Sequence, residues 1–308
     1  MTNKPDLERG PNLGRGRLLA GQVARLMIAD ADTAETRLVA ETAALIEAPN
    51  WTPDGRWLIV NGDGRLRRIA ADESSSFEEI DTGSVRDCNN DHVLSPDGST
   101  IYISAGGHLY SVPISGGEPK RISNTHDAAK HYKYYLHGVS PDNKTLAYVA
   151  AEDRDGDPWG RLNIATIPSA GGPDRYLTDL RAPADGPEYS PDGVWIYYNS
   201  EQAALKPGHA QIFQMRPDGA GARQLTFDER VNWFPHISPD GRRLVYLSYP
   251  PDTKGHPANL DVILRVMAIE GGATRDIARF NGGQGTINVN SWAPDSRRFA
   301  YIEYALRN

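Results

Sequence analysis

Three histidines and a glutamate stand at matched places in this chain of 308 residues, each four or five positions ahead of a recurring Pro-Asp pair. Five places before the aspartates stand Pro49, His92, His137, Pro187, Pro235 and Asn290, and four places before them stand Asn50, Val93, Gly138, Glu188, His236 and Ser291. Neutral imidazoles and a carboxylate are donors suited to manganese, zinc or iron. If these positions converge, His92, His137, His236 and Glu188 form a candidate metal set, with Glu188 as ligand or general base. The plainer reading needs no cofactor: polar residues hydrogen-bonded around a wet interior. Successive strand residues point to opposite faces, which counts against all of them converging at once.

The elements that must position these side chains are written by a repeat. Thr52-Pro53-Asp54-Gly55, Ser95-Pro96-Asp97-Gly98, Ser140-Pro141-Asp142-Asn143, Ser190-Pro191-Asp192-Gly193, Ser238-Pro239-Asp240-Gly241 and Ala293-Pro294-Asp295-Ser296 make six copies, with aspartates 43, 45, 50, 48 and 55 residues apart. Those periods lie in or just above the range of propeller blades. Proline presets the second position of a type I turn, aspartate accepts from nearby N–H groups, and glycine tolerates a left-handed exit. Each copy is followed by an apolar or aromatic run such as Trp57-Leu58-Ile59-Val60 or Leu244-Val245-Tyr246-Leu247, which predicts a strand. The Pro-Asp pairs are therefore turn braces rather than catalysts. A second, glycine-containing turn follows in most copies, as at Ser115-Gly116-Gly117 and Ala170-Gly171-Gly172. Each repeat thus holds four strands, A to D, with the Pro-Asp turn joining A to B.

The ends of the chain complete this scheme. Residues 21–41 supply a C–D hairpin with no A–B hairpin before it, and residues 287–306 supply an A–B hairpin with nothing after it. The predicted fold is all-β: a six-bladed β-propeller of four-stranded antiparallel blades, closed by N-terminal C–D strands pairing with C-terminal A–B strands. Residues 1–16 read as a flexible leader and 17–308 as one domain.

Composition narrows the function. With 40 acidic and 33 basic residues the formal charge is −7, which argues against nucleic acid as partner. No apolar run is long enough for membrane insertion by a helix. No signal-peptide core is visible before Gln22, so the chain as written is expected in the cytoplasm, or in the periplasm if the true start lies upstream. A single cysteine, Cys88, reads as a buried small apolar residue.

The Ser-Pro-Asp-Gly pattern, with Gly-Gly or Asp-Gly turns and then Leu177-Thr178 or Leu225-Thr226, resembles the β-propeller of TolB-like proteins from about residue 21 onward. TolB of the Tol–Pal envelope system also carries a secretion signal and an N-terminal α/β domain, neither of which is evident here. The resemblance implies a non-enzymatic binding module that holds a protein segment, or a small sugar-type ligand, at the channel mouth. Some oligogalacturonate lyases resemble the same repeat type and use a metal held by propeller histidines. They imply the alternative, a metal-dependent lyase or hydrolase acting on a sugar acid, although those enzymes have seven blades.

Loop length points to one face for the site. The B–C connections lengthen at 152–161, 200–211 and 249–261, and His92, His126, His131, His137, His209, His236 and His256 map to the same rim, opposite the Pro-Asp turns. The segment His131-Tyr132-Lys133-Tyr134-Tyr135 mixes aromatic and basic groups that could stack on a sugar or peptide. The candidate ligand-binding face is Asn50, His92, His131, Tyr134, Tyr135, His137, Glu188, Trp233, His236 and Asn290.

Overall fold

In the computed structural model, residues 16–179 and 181–307 are described; apart from Gly16, the expected leader lies outside them. The described residues form 23 strands in six sheets arranged as a ring. Blade 1 comprises β3 (Glu47–Trp51), β4 (Trp57–Gly62), β5 (Arg65–Ala70) and β6 (Glu78–Ile80). Blade 2 follows with β7 (Cys88–Leu94), β8 (Thr100–Ala105), β9 (His108–Pro113) and β10 (Lys120–Arg121), and blade 3 with β11 (Lys133–Val139), β12 (Thr145–Arg154), β13 (Asp157–Pro168) and β14 (Arg175–Tyr176). Blade 4 has β15 (Ala184–Tyr189), β16 (Ile196–Ser200), β17 (Gln211–Met215) and β18 (Arg223–Gln224), and blade 5 has β19 (Val231–Ile237), β20 (Arg243–Tyr249), β21 (Ala258–Ala268) and β22 (Thr274–Gly283).

The sixth sheet closes the ring: β1 (Gln22–Asp30) pairs on one side with β2 (Thr36–Thr42) and on the other with β23 (Arg298–Leu306). It has three strands where four are expected. The innermost place is taken by residues 284–293, which form only one bridge, Trp292 with Phe299. This stretch uses its backbone otherwise. Gly285 accepts from the Ala48 N–H of blade 1 at 2.7 Å, and its own N–H donates to the Asn288 side chain at 2.8 Å. The segment bridges to a neighbouring blade instead of completing a ladder.

The six turns behave as braces. In five of them a serine or threonine hydroxyl donates to the turn aspartate at 2.5–2.6 Å, and the N–H two residues on donates to the same carboxylate. These bonds favour the ionised form, and that from Ser95 leads in pulling Asp97 down to about 2. Ala293 lacks the hydroxyl, and Asp295 instead accepts from the Arg297 and Arg298 N–H groups. The B strands are buried on both faces because each blade packs on two neighbours: Leu58, Ile59 and Val60 have no exposed surface. That explains their unbroken apolar runs.

Candidate functional site

The inner strands depart from regular alternation at one level. Strands β3, β7, β11, β15 and β19 each show a register shift against their partner just before the turn-proximal segment. Ala48, Gly186 and Phe234 take positive φ there (49°, 63° and 55°), each six places before its turn aspartate. A bulge re-aims the side chains around it. It swings His137 out of the β11–β12 pairing, whereas His92 remains paired opposite Ile103.

Five of the candidate residues converge on the axis as a result. Asn50 Nδ2 donates to the Asn290 carbonyl at 2.6 Å, and Asn290 Nδ2 donates to Glu188 Oε1 at 2.5 Å and to the Ile237 carbonyl at 2.9 Å. Glu188 Oε1 also accepts from the Ile237 N–H at 2.9 Å. His236 is held between Glu188 Oε2 at 2.6 Å and the Ile287 carbonyl at 2.5 Å. His137 lies between the Asn288 carbonyl at 2.9 Å and Asp185 Oδ1 at 3.3 Å, with Asp91 Oδ1 at 3.8 Å.

The others are elsewhere. His92 is completely buried in its ladder position and neither ring nitrogen makes a hydrogen bond; burial pushes its pKa down to about 4. His131 is on the surface beside Asp153. Tyr134 donates to Asp174 in a cluster with Tyr132, Tyr148 and His126. Tyr135 packs against Val149, Ala151 and Leu162, and burial, with the charges of Asp91 and Asp185, raises its hydroxyl. Trp233 lies against the His256 ring at 4.5 Å.

Sequence reasoning found only His256 of the second layer, which closes the channel on the loop side. Asp91, Asp185, His256, Gln284 and Asn288 are all buried, and Gln284 Oε1 joins His256 Nδ1 at 2.5 Å to Asn288 Nδ2 at 3.0 Å. Glu47 accepts from Asn90 at 3.2 Å beside them. The polar residues of the segment between β22 and β23 were the available signal, since a loop rich in Gln, Thr and Asn that is to be buried must bond to something. Electrostatics knit this layer. Burial alone would lower His137, but Asp91 and Asp185 raise it to about 9. Burial lifts Asp91 to about 7, while at Asp185 the hydrogen bond and charge of His137 overcome burial and hold the carboxylate ionised.

Above the Asn50–Asn290–Glu188 floor lies a cavity of about 510 Å³. Its walls include Trp51, Trp292, Val93, Val139 and Ile237, and Pro53, Pro96, Pro141, Pro191, Pro239 and Pro294 ring its mouth, one from each Pro-Asp turn. All six prolines are exposed. The cavity therefore opens on the turn side, opposite the rim that loop lengths marked. One of those long loops, 152–161, is itself largely a continuation of the β12–β13 ribbon around a tight turn at Asp155 and Gly156.

The proposed metal set does not assemble. His92 is paired within blade 2, and both nitrogens of His137 and of His236 are engaged internally, leaving no lone pair for a metal. Among the described residues no group of three or more His, Cys, Asp or Glu could hold a metal ion.

The chain is 38% identical over 277 residues to an uncharacterized protein of Agrobacterium fabrum, covering 88% of this chain and 89% of that one. A solved protein called "putative TolB" in Agrobacterium tumefaciens is 36% identical with a TM-score of 0.83, covering 92% of this chain and 99% of the other. The chain belongs to the TolB-like β-propeller family. TolB from Acinetobacter baumannii shares the fold with this TolB-like propeller at 19% identity and a TM-score of 0.61, over 86% of this chain and 65% of that one. An oligogalacturonate lyase in complex with manganese does so at 15% identity and 0.57, over 96% and 99%. No protein-family model matches the chain.

Proposed function

We propose that this TolB-like propeller is a non-enzymatic binding module that holds a segment of a protein partner in the cavity at the turn-side mouth. The observation that carries this reading is the cavity itself, a preformed apolar funnel ringed by six exposed prolines. A contiguous apolar annulus on an otherwise polar surface marks an interaction site. Six braced turns keep it rigid, so little ordering entropy is lost on binding. The engaged state of His137 and His236 favours this reading over the metal-dependent lyase.

A photo-crosslinking amino acid at position 96 or 191 tests it in cells. The expected result is a recurrent crosslink to one protein that is absent when the probe sits at Asp218, in a C–D turn, and lost when Val139→Trp fills the cavity. Equal crosslinking from all three positions, or persistence in the Val139→Trp chain, would overturn the assignment.

A further inference from the structure

The floor of the funnel specifies what enters it. Asn50 lines the cavity and is only 4% exposed. Its amide orientation is settled chemically, because the group facing the Asn290 carbonyl must be the donor Nδ2. The other atom, Oδ1, is thus a buried acceptor, and it makes no hydrogen bond. Glu188 Oε2 accepts only from His236, so it too has acceptor capacity left. Most donors on this floor are already occupied: the two Asn290 amide hydrogens go to Glu188 and to the Ile237 carbonyl, the nitrogens of His137 and His236 are engaged, and of the two Asn50 amide hydrogens one goes to the Asn290 carbonyl.

A surface rich in acceptors and poor in donors suits a group that only donates. A hydroxyl brings one donor and an amide also brings an acceptor, whereas a primary ammonium brings three donors and no acceptor. Charge agrees. Four buried carboxyl side chains, Glu47, Asp91, Asp185 and Glu188, share the axis with the imidazoles His137, His236 and His256, and burial holds His256 toward its neutral form. The six turn aspartates add negative charge at the mouth, most of it offset by Arg56, Lys144, Arg242, Arg243 and Arg298. Trp51 and Trp292 already hold an arginine over their rings at 5.5 and 5.8 Å, and as cavity walls they offer apolar surface to an alkyl stem.

We propose that the partner segment inserts a lysine side chain, its alkyl stem between the tryptophan and proline walls and its ammonium on Asn50 Oδ1 and the Glu188 carboxylate. This rests on the binding reading above and names the chemistry that the site selects.

The test uses the whole protein and defined probes: n-hexylammonium against n-hexanol, and the blocked peptide acetyl-Pro-Lys-Pro-amide against its norleucine analogue, followed by calorimetry and tryptophan fluorescence. Each ammonium probe is expected to bind at least tenfold more tightly than its neutral twin, and Asn50→Leu to remove most of that preference. Equal binding of charged and neutral probes overturns the inference, as does absence of binding by all four. Hexylammonium binding without the lysine peptide also overturns it, pointing to a small amine instead. The wild-type comparison decides the matter even if Asn50→Leu fails to fold. If crosslinks from position 96 persist while no ammonium probe binds, the binding module stands and the lysine falls.

Discussion

His137 is an imidazole with no solvent to stabilise its charge, and it is charged because two carboxyl groups surround it. Its folded pKa of about 9 lies above the unfolded value of about 6.5. The stability this contributes is therefore complete below pH 6.5 and lost as pH rises through 9. Asp91, raised to about 7, also favours the folded state less as pH climbs, and most of its effect falls below pH 7. His92 acts in the other direction, costing stability as pH falls from 6.5 through 4. From pH 7 to 9.5 His137 supplies the largest part of the loss, with smaller parts from the end of the Asp91 titration and from Cys88, whose thiol burial pushes up to about 11. Denaturant unfolding should show the wild-type protein losing on the order of 3 kcal/mol across that window. His137→Gln should be less stable at pH 7 by about 3–5 kcal/mol, because Asp185 and Asp91 lose their partner, and should fall much less steeply than wild type over the same window. A variant with the wild-type slope would place the titration elsewhere.

At the scale of the strand, the bulge explains what could and could not be read. The Pro-Asp turns announce themselves through local chemistry, so blade number, turn positions and the buried B strands were legible. Counting back from the turn also found Asn50, His137, Glu188, His236 and Asn290. It failed for His92, because β7 keeps its pairing as far as that residue whereas β11 bulges at His137, and no residue type in either strand declares the difference. Asp91 and Asp185 were missed for the same reason, since they lie beyond the point where simple alternation holds. Gly186 is the one bulge position with a glycine at positive φ, and an added Cβ would stand 3.0 Å from Asn199 Oδ1 and 3.2 Å from the Phe234 ring. Gly186→Ala should therefore cost about 1 kcal/mol from the backbone, and more from displacing Phe234 from the rings of His137 and His256. Thermal melting checks it; a variant as stable as wild type would show that the bulge adapts freely.

For the whole molecule, closure is the feature on which rigidity of the funnel depends. An open array of blades would expose a sheet edge, and the ring removes it by pairing β1 with β23 along nine residue pairs, Gln22 with Leu306 to Asp30 with Arg298. The same join buries Ala24, Leu26 and Ile28 with Ala300, Ile302 and Tyr304, and Arg25 bridges Glu41 and Glu303. The three-stranded form of this sheet makes the join more consequential, because residues 284–293 hold β23 by scattered bonds rather than a ladder. Tyr304 reaches across to the Ile46 carbonyl at 3.0 Å, so loosening β23 also loosens the entry to blade 1 and, through Ala48 and Gly285, the channel plug. Leu26→Ala should thus cost about 2–5 kcal/mol. Removing everything through Thr42 should abolish cooperative unfolding altogether, and mixing that shortened chain with a peptide of residues 16–42 should restore a melting transition. A shortened chain that still melts sharply on its own would mean that the five complete blades hold their curvature without the join, and that the funnel is set by the braced turns alone.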